Sequence, residues 1–325
     1  MRQFRYGLRL AGAATSVRFG TPAGETDLDS GTTPWLRQLG TNGYPLGEVP
    51  DEGHAPGWVT VTSGGHAVTL STKWCGETAP RALGHDAGDR ALCLDLRPEV
   101  ADESGYPLAA GRVKTYEFML GVNTPGPELS ALARAELHAY PDSEYVTSSG
   151  ATHRFVPVTD PGFPSYATCI ANTHRRAAAV RLYGDMDFGD QIGWNENERW
   201  NGYHGVTHEW FTFYLASGEP ELFRIAEQET WHSLDVDTQQ WGFQPGCREA
   251  EYARKHDHVC PLPYQGGIKV WVLGEVDYYL LTGRRRVLES LERTGQFLLD
   301  SGGVVNNVFT NERASSLPFL HLAHV

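Results

Sequence analysis

Two histidines stand four residues apart at the start of a predicted helix. His204 and His208 are separated by the i, i+4 spacing that places both side chains on one helical face. A zinc protease motif would need a glutamate directly after the first histidine, but Gly205 occupies that position. The pattern therefore favours a base or a sugar contact over a zinc ligand, and a surface histidine without a role is the alternative.

A short basic segment precedes another predicted helix. It contains Arg254, Lys255, His256 and His258, and it leads to Gln265 and Trp271. β-Elimination at a uronic acid needs a cation beside the carboxylate, a base for the C5 proton and an acid for the leaving oxygen. Arginine or lysine can supply the cation, and histidine or tyrosine can supply the acid and base. A solvated charged turn is the alternative interpretation.

The densest aromatic and polar stretch begins at Tyr183-Gly-Asp-Met-Asp-Phe-Gly-Asp190 and ends at Tyr203. Sugar sites use flat aromatic faces against the ring, with amides and carboxylates bonded to the hydroxyls. Side chains of these kinds are concentrated at Trp194, Asn195, Asn197, Glu198 and Trp200, and Arg199 among them is a further candidate substrate contact. The stretch predicts a carbohydrate-binding loop, with a surface loop held by tryptophan packing as the alternative.

Two groups of aspartates could bind calcium or act as the acid and base of a glycosidase. One group is Asp185, Asp187 and Asp190, and the other is Asp235 and Asp237. Their spacing is not that of an EF-hand loop, and carboxylates at a helix end more often cap or bridge. A structural role is therefore favoured. Calcium is the one cofactor that these residues suggest, and otherwise no cofactor is expected.

Composition limits the classes of partner. The 325 residues carry a formal net charge of −13, and the sequence pI is about 5.4. Nucleic-acid binding needs a basic face, and anionic membranes repel acidic proteins, so no nucleic acid and no membrane is expected as a partner. No run of about 18 apolar residues is present to span a bilayer. An acidic polysaccharide or oligosaccharide would need a local basic cluster such as the one at Arg254.

The cysteines and the N-terminus give little information on localisation. The five cysteines lack CxxC spacing, which favours free thiols over a zinc knuckle or a disulfide framework. The first residues lack the uninterrupted apolar stretch of a signal peptide. The sequence therefore does not predict the localisation of the protein.

Residues 1–165 have the pattern of a β-sandwich domain. Short alternating runs occur at Trp58–Thr62, Ala67–Ser71, Ala91–Leu96 and Val113–Val122, and glycine-rich turns connect them. The Ser63-Gly-Gly-His66 segment predicts a hairpin. A Pro-, Gly- and Ser-rich stretch at 157–166 marks the domain border.

Residues 166–325 have the pattern of an incomplete α/α toroid. Helical spacing of apolar residues predicts helices at 203–217 and 220–234. The turn Tyr214-Leu-Ala-Ser-Gly218 recurs as Tyr279-Leu-Leu-Thr-Gly283, an offset of 65 residues. Repeated helical hairpins build solenoids and closed toroids, and the long polar linkers favour a toroid. Two or three hairpins do not close a ring of six, which predicts that the chain is part of a longer protein.

Several of these segments together resemble the exo-rhamnogalacturonan lyase (YetA-like) family of polysaccharide lyases. The resemblance is carried by Tyr183–Asp190, Trp194–Glu198, Trp231–Thr238 and Asp277–Gly283 in the helical part. Upstream it is carried by Lys73-Trp74, Pro80–Leu83, Leu94–Pro98 and Gly111–Glu117, which are similar to the central β-sandwich of that family. It implies a multidomain β plus α protein, a β-sandwich followed by a partial α/α toroid.

The activity implied by the resemblance is β-elimination on rhamnogalacturonan, a pectin of plant cell walls. The preferred hypothesis assigns the roles by chemistry: Arg254 or Lys255 would screen the uronate, and His256, His258 or His204 would remove the C5 proton. Tyr203 would protonate the leaving group, with His208, Gln265, Trp271 and Asp187 among the substrate contacts. A glycoside hydrolase that uses Asp187 and Glu198, and a non-catalytic carbohydrate-binding protein, are the alternatives.

Overall fold

The computed structural model describes thirteen stretches and one single residue of the chain. These are residues 4–21, 23–28, 35–38, 44–46, 49–51, 54–97, 111–135, 142–150, 158, 160–179, 184–190, 205–242, 245–247 and 270–300. The chain divides into two compact units. The first consists of Met1–Tyr106, Thr115–Leu137 and Tyr183–Met186, and the second of Pro107–Lys114, His138–Leu182 and Asp187–Val325.

The first unit contains two antiparallel sheets. Its strands are β1 (Phe4–Arg9), β2 (Ala14–Thr21), β3 (Gly24–Leu28), β4 (Trp35–Gln38), β5 (Tyr44–Leu46), β6 (Val49–Asp51), β7 (Trp58–Ser63), β8 (His66–Thr72), β9 (Arg81–Asp86), β10 (Ala91–Arg97) and β11 (Phe118–Val122). The six-stranded sheet has the order β1-β10-β9-β4-β5-β6, and the five-stranded sheet has the order β11-β8-β7-β2-β3.

Both sheets contribute to one hydrophobic core. Val17, Phe19 and Leu70 come from the five-stranded sheet, and Leu83 and Leu92 come from the six-stranded sheet. All five side chains are fully buried. Alternating residues of a strand point to opposite faces, so each sheet directs one apolar face into this shared core. The predicted β-sandwich-like architecture is therefore present in the first unit.

The predicted hairpin at Ser63–His66 is confirmed. Ser63 and His66 pair across the turn between β7 and β8. Gly64 and Gly65 both have positive φ, at 58° and 80°. A two-residue turn with positive φ at both positions is the type I′ turn that matches the twist of the flanking strands, and glycine adopts it without strain.

Downstream of the hairpin the sequence pattern was less accurate. The strand predicted from Val113 begins only at Phe118. Helix α1 (Gly126–Arg134) follows it, and helices α2 (Ser143–Ser149) and α3 (Tyr166–Ala179) lie in the second unit. Helices α1 and α2 were not predicted, because the alternation and turn residues of 1–165 indicate strands and turns.

The second unit is helical in its described part. After α2 and α3 it contains α4 (Val206–Ser217), α5 (Pro220–His232), a π-helical turn (Ser233–Asp237), α6 (Leu273–Thr282) and α7 (Arg285–Asp300). Helices α4 and α5 match the predicted hairpin, and Pro220 occupies the first turn of α5, where its missing N–H costs nothing. No helix among the described residues is long and apolar enough to cross a membrane.

The predicted repeat of the helical hairpin is visible in its turns. Gly218 and Gly283 end α4 and α6 in the left-handed conformation, and each N–H donates to a tyrosine carbonyl four residues earlier at 2.7 Å. The residue before each glycine also repeats, because Ser217 and Thr282 donate hydroxyl hydrogen bonds to the carbonyls of Phe213 and Tyr278 at 2.7 and 2.6 Å. The same turn is therefore built twice from equivalent atoms.

A polar network lies between the helices of this unit. The fully buried hydroxyl of Tyr278 on α6 donates to Glu227 on α5 at 2.8 Å and accepts from the indole of Trp231 at 3.2 Å. Nearby, Ser233 donates to Glu275 at 2.7 Å, and Trp210 on α4 donates to Glu229 at 3.0 Å. Hydrogen bonds to buried carboxylates fix the positions of the helices. If one of these bonds breaks, no water molecule is at hand to form a hydrogen bond in its place.

Tyr278→Phe is expected to lower the free energy of unfolding of the helical unit by about 2–3 kcal/mol, since two buried hydrogen bonds disappear while the ring is kept. Urea denaturation followed by tryptophan fluorescence measures the change. The matched control is Tyr279→Phe at the neighbouring half-buried tyrosine, for which we expect little change. Equal effects of the two substitutions would contradict the prediction.

One of the described cysteines is not the free thiol that was expected from the sequence. Among the described residues Cys75, Cys93 and Cys169 form no disulfide bond, and burial raises the pKa of the Cys75 thiol to about 12. Cys247 is disulfide-bonded, so the expectation of free thiols is wrong for this residue. Sparse spacing in sequence does not exclude a bond, because distant cysteines meet only through the fold.

Candidate functional site

A histidine and an aspartate on different helices form the closest pair of potential catalytic groups in the described part of the second unit. His208 lies in the first turn of α4, and Asp277 lies near the middle of α6. The imidazole Nδ1 is 2.5 Å from the carboxylate Oδ2. The helices approach closely here, because Gly274 on α6 packs against Thr207 and the backbone nitrogen of His208. A larger residue than glycine at position 274 would separate the pair.

The chemistry of this contact decides which nitrogen carries a proton. A carboxylate accepts hydrogen bonds but does not donate them, so Nδ1 of His208 is the donor. Nε2 has no partner among the described protein groups, and the side chain is 44% exposed. The hydrogen bond to Asp277 raises the pKa of His208, with partial burial opposing and the charges of Asp277 and Glu209 adding to the rise.

The raised pKa of His208 predicts a stability contribution that depends on pH. When the pKa of a group is higher in the folded chain than in the unfolded chain, its protonation stabilises the folded chain. This stabilisation is complete at pH values below the unfolded pKa, and it is lost as the pH rises through the folded pKa. The side chain is well exposed and solvent screens the charges, so we expect the pair to contribute only about 0.5–1 kcal/mol to the free energy of unfolding. Asp277→Asn should therefore be less stable than the wild type at about pH 5.5, and the difference should disappear near about pH 8.5. Urea denaturation at both pH values tests this, and a constant difference would contradict it.

Trp271 lies beside the start of α4. It is partly exposed, and its ring carbon Cε3 would be 3.5 Å from a side-chain carbon at Gly205, the N-cap of that helix. His208 lies one helical turn further along. The described part of the chain thus places two of the predicted site residues, Trp271 and His208, near the N-terminal end of α4.

Asp187 lies in a turn and is half buried. Its carbonyl accepts a hydrogen bond from the N–H of Asp190 at 3.1 Å. Phe188, the next residue, is buried, and its carbonyl accepts from Nδ1 of His232 at 3.0 Å. Gly189, with φ at 90°, brings the backbone so close to the Gln228 carbonyl that a Cβ would lie 2.2 Å from it. This segment is held tightly against α5, which gives Asp187 a fixed position.

Asp185, in the same sequence motif, has a structural partner in the first unit. Its carboxylate lies 2.5 Å from the guanidinium of Arg81, and both side chains are 1% exposed. Tyr116 donates its hydroxyl to Asp185 at 3.3 Å and stacks on the guanidinium at 4.3 Å. Arg81 also donates to the carbonyls of Pro80 and Leu96. A carboxylate engaged in this way is suited to holding the fold and not to binding sugar or calcium.

Aspartates at the end of α5 also bridge structural elements. Asp235 accepts from Arg286 on α7 at 2.6 Å, and Asp237 lies 3.3 Å from Nε2 of His232. Asp190 lies 4.0 Å from the same nitrogen, and all three aspartates are buried at their side chains. The favoured bridging role of Asp235 is confirmed. Within the described stretches, no group of three or more His, Cys, Asp or Glu residues could hold a metal ion.

Many of the predicted site residues lie outside the described residues. They are Trp194, Asn195, Asn197, Glu198, Arg199, Trp200, Tyr203, His204, Arg254, Lys255, His256, His258 and Gln265. Their predicted roles stay predictions. Among the predicted site residues the structure describes His208, Trp271 and Asp187.

Asp277 was not predicted to be a site residue. It is 69 positions from His208, so the pair is created only by the packing of α4 against α6. One signal in the sequence is that Asp277 and Glu275 are the two charged residues of a helix that is otherwise mostly apolar. A charge in such a setting usually has a partner.

Comparison with models of known protein families and with curated proteins finds no match for this chain. The geometry of α4 and α6 therefore bears most directly on function. His208 can exchange a proton through Nε2, Asp277 holds its other nitrogen, and Trp271 offers an aromatic face at the same end of α4.

Proposed function

We propose that the protein is a polysaccharide lyase that cleaves rhamnogalacturonan-type pectin by β-elimination at a galacturonate residue. The observation that carries the proposal is His208, which is hydrogen-bonded through Nδ1 and whose side chain is 44% exposed. A solvent-facing imidazole with one nitrogen held by a carboxylate is suited to removing a proton from a bound substrate. The resemblance of the sequence to exo-rhamnogalacturonan lyases supplies the substrate class.

In the proposed reaction, neutral His208 takes the C5 proton of galacturonate on Nε2. The electrons of the C5–H bond form the C4–C5 double bond, and the C4–O bond breaks. The leaving oxygen gains a proton, so the products are an unsaturated uronate and a new hydroxyl end. The imidazolium that forms on His208 is stabilised by Asp277 at 2.5 Å.

The other roles rest on chemistry and sequence position. Arg254 or Lys255 would neutralise the carboxylate and so acidify the C5 proton, and Tyr203 would protonate the leaving oxygen. Trp271 would stack on a sugar ring next to the cleaved bond, because its half-buried ring lies beside Gly205, three residues before His208. This assignment moves the base from His204, His256 or His258 to His208.

The architecture that fits this function is an α/α toroid in the helical unit. The repeated turn, with Gly218 and Gly283 bonded to equivalent tyrosine carbonyls, supports a succession of similar hairpins. Helix ends and loops at one end of such a ring line a common cavity. Arg254–His258 and Trp194–Trp200 belong to the linkers that would line it.

Ultraviolet absorbance during incubation with rhamnogalacturonan I tests the proposed function. Elimination produces a double bond conjugated with the uronate carboxyl, so absorbance should rise with time. New reducing ends without a rise in absorbance would identify hydrolysis and overturn the proposal in favour of a glycoside hydrolase. Saturable binding without any product would overturn it in favour of a carbohydrate-binding protein.

A further inference from the structure

We infer that Asp277 is a positioning residue that holds His208 in the tautomer with the proton on Nδ1 and so makes Nε2 the nitrogen that acts on the substrate. This inference rests on the proposed function, since it specifies how the base of that reaction is prepared. Asp277 itself does not touch the substrate. Its role is exerted through the 2.5 Å contact with the imidazole.

Both partners sit on helices that buried contacts fix in place. On α6, Asp277 lies between Glu275, which accepts from Ser233 at 2.7 Å, and Tyr278, which is fully buried and donates to Glu227. On α4, His208 is two residues from Trp210, whose buried indole donates to Glu229. Neither helix can turn about its axis without breaking these bonds, so the geometry of the pair is preset.

The orientation of the ring follows from that geometry. A neutral imidazole carries one proton, and it can place it on either nitrogen. With a carboxylate at Nδ1, the proton on that nitrogen is retained in both the neutral and the charged form. Nε2 is then the site that gains and loses a proton. Without the carboxylate, the neutral ring would often carry its proton on Nε2, and that form cannot accept a proton from the substrate there.

The charges around His208 predict how the rate of cleavage should depend on pH. The described carboxylates that face or adjoin it are Asp277 on α6 and Glu209 on α4, and both raise the pKa of the imidazole. Turnover that needs the neutral form should therefore increase as pH rises through this elevated value. Removing the charge of Asp277 should move that rise to lower pH, because the imidazolium loses its partner.

The test compares Asp277→Asn, Asp277→Glu and the control Glu209→Gln in rhamnogalacturonan cleavage. We expect Asp277→Asn to lower kcat at least about tenfold at little cost in KM and to shift the pH profile toward acid. Asp277→Glu should restore part of the rate. Glu209 bears a similar charge on an exposed side chain but makes no hydrogen bond to His208, so Glu209→Gln should keep most of the rate.

Nitrogen-15 NMR of the histidine ring gives a readout that does not depend on activity. Neutral His208 in the wild type should show its proton on Nδ1, and Asp277→Asn should show a mixture of tautomers. A wild-type ring protonated on Nε2, or an unchanged ring in Asp277→Asn, would overturn the inference even in an active protein. A wild-type protein that releases no unsaturated product from rhamnogalacturonan would instead overturn the proposed function, whatever the NMR result. The two failures are therefore distinguishable.

Discussion

His208→Gln is expected to lower turnover of rhamnogalacturonan by about 10²–10⁴-fold, the range over which a general base contributes to catalysis. Glutamine keeps a polar side chain of similar reach but cannot accept a proton at neutral pH. The loss should appear in kcat, because Trp271 and the other proposed sugar contacts are unchanged. Initial rates from ultraviolet absorbance at saturating substrate measure it.

Two comparisons separate a catalytic loss from a folding defect. His66→Gln changes an exposed histidine at the β7–β8 turn, and it should retain full activity. Because the His208–Asp277 pair is well exposed, His208→Gln should unfold cooperatively in urea with a loss of no more than about 1 kcal/mol in the free energy of unfolding. An active His208→Gln protein would exclude His208 as the base and return the role to His204, His256 or His258.

Asp185→Asn should be the most destabilising of the substitutions considered for the first unit. The carboxylate pairs with Arg81 in a site where both side chains are 1% exposed, so the substitution leaves a guanidinium charge buried. Breaking a buried ion pair from one side costs about 3–5 kcal/mol. Tyr116 also loses a charged acceptor for its hydroxyl. Chemical denaturation monitored by circular dichroism of the strand signal measures the loss.

The matched control for Asp185→Asn is Asp27→Asn. Asp27 accepts from Arg18 at 2.7 Å across β2 and β3, but its side chain is 61% exposed. Solvent screens such a pair, so we expect a loss of no more than about 1 kcal/mol. Equal losses at the two positions would show that the burial of the Arg81 pair has no energetic importance.

The sequence predicted those parts of the fold that depend on local periodicity. The strands at Trp58, Ala67 and Ala91 and the helices α4 and α5 are each specified by alternation or by helical spacing within one segment. Helix α1 was missed, because its nine residues follow a strand and a proline without a long amphipathic run. Short helices of this kind are stabilised by packing that a single segment does not encode.

The candidate site could be predicted only in part, for a related reason. His208 was found from its spacing with His204, but its partner Asp277 is brought to it by helix packing over 69 positions. Asp185 and Asp187 looked alike in one acidic motif. The structure separates them, because Asp185 is paired with Arg81 in the first unit and Asp187 is half buried in the second. Residue type alone does not distinguish a structural carboxylate from one near a ligand.

The duplicated turn at Gly218 and Gly283 also affects how the helical unit tolerates change in length. Each turn closes on atoms of its own helix, through a tyrosine carbonyl and a serine or threonine hydroxyl. The ends of α4 and α6 are each closed by hydrogen bonds within six residues, Phe213–Gly218 and Tyr278–Gly283. Because these hydrogen bonds lie within one helix and its turn, we expect a change in the length of the linker before α4 or α6 to leave the end of that helix unchanged.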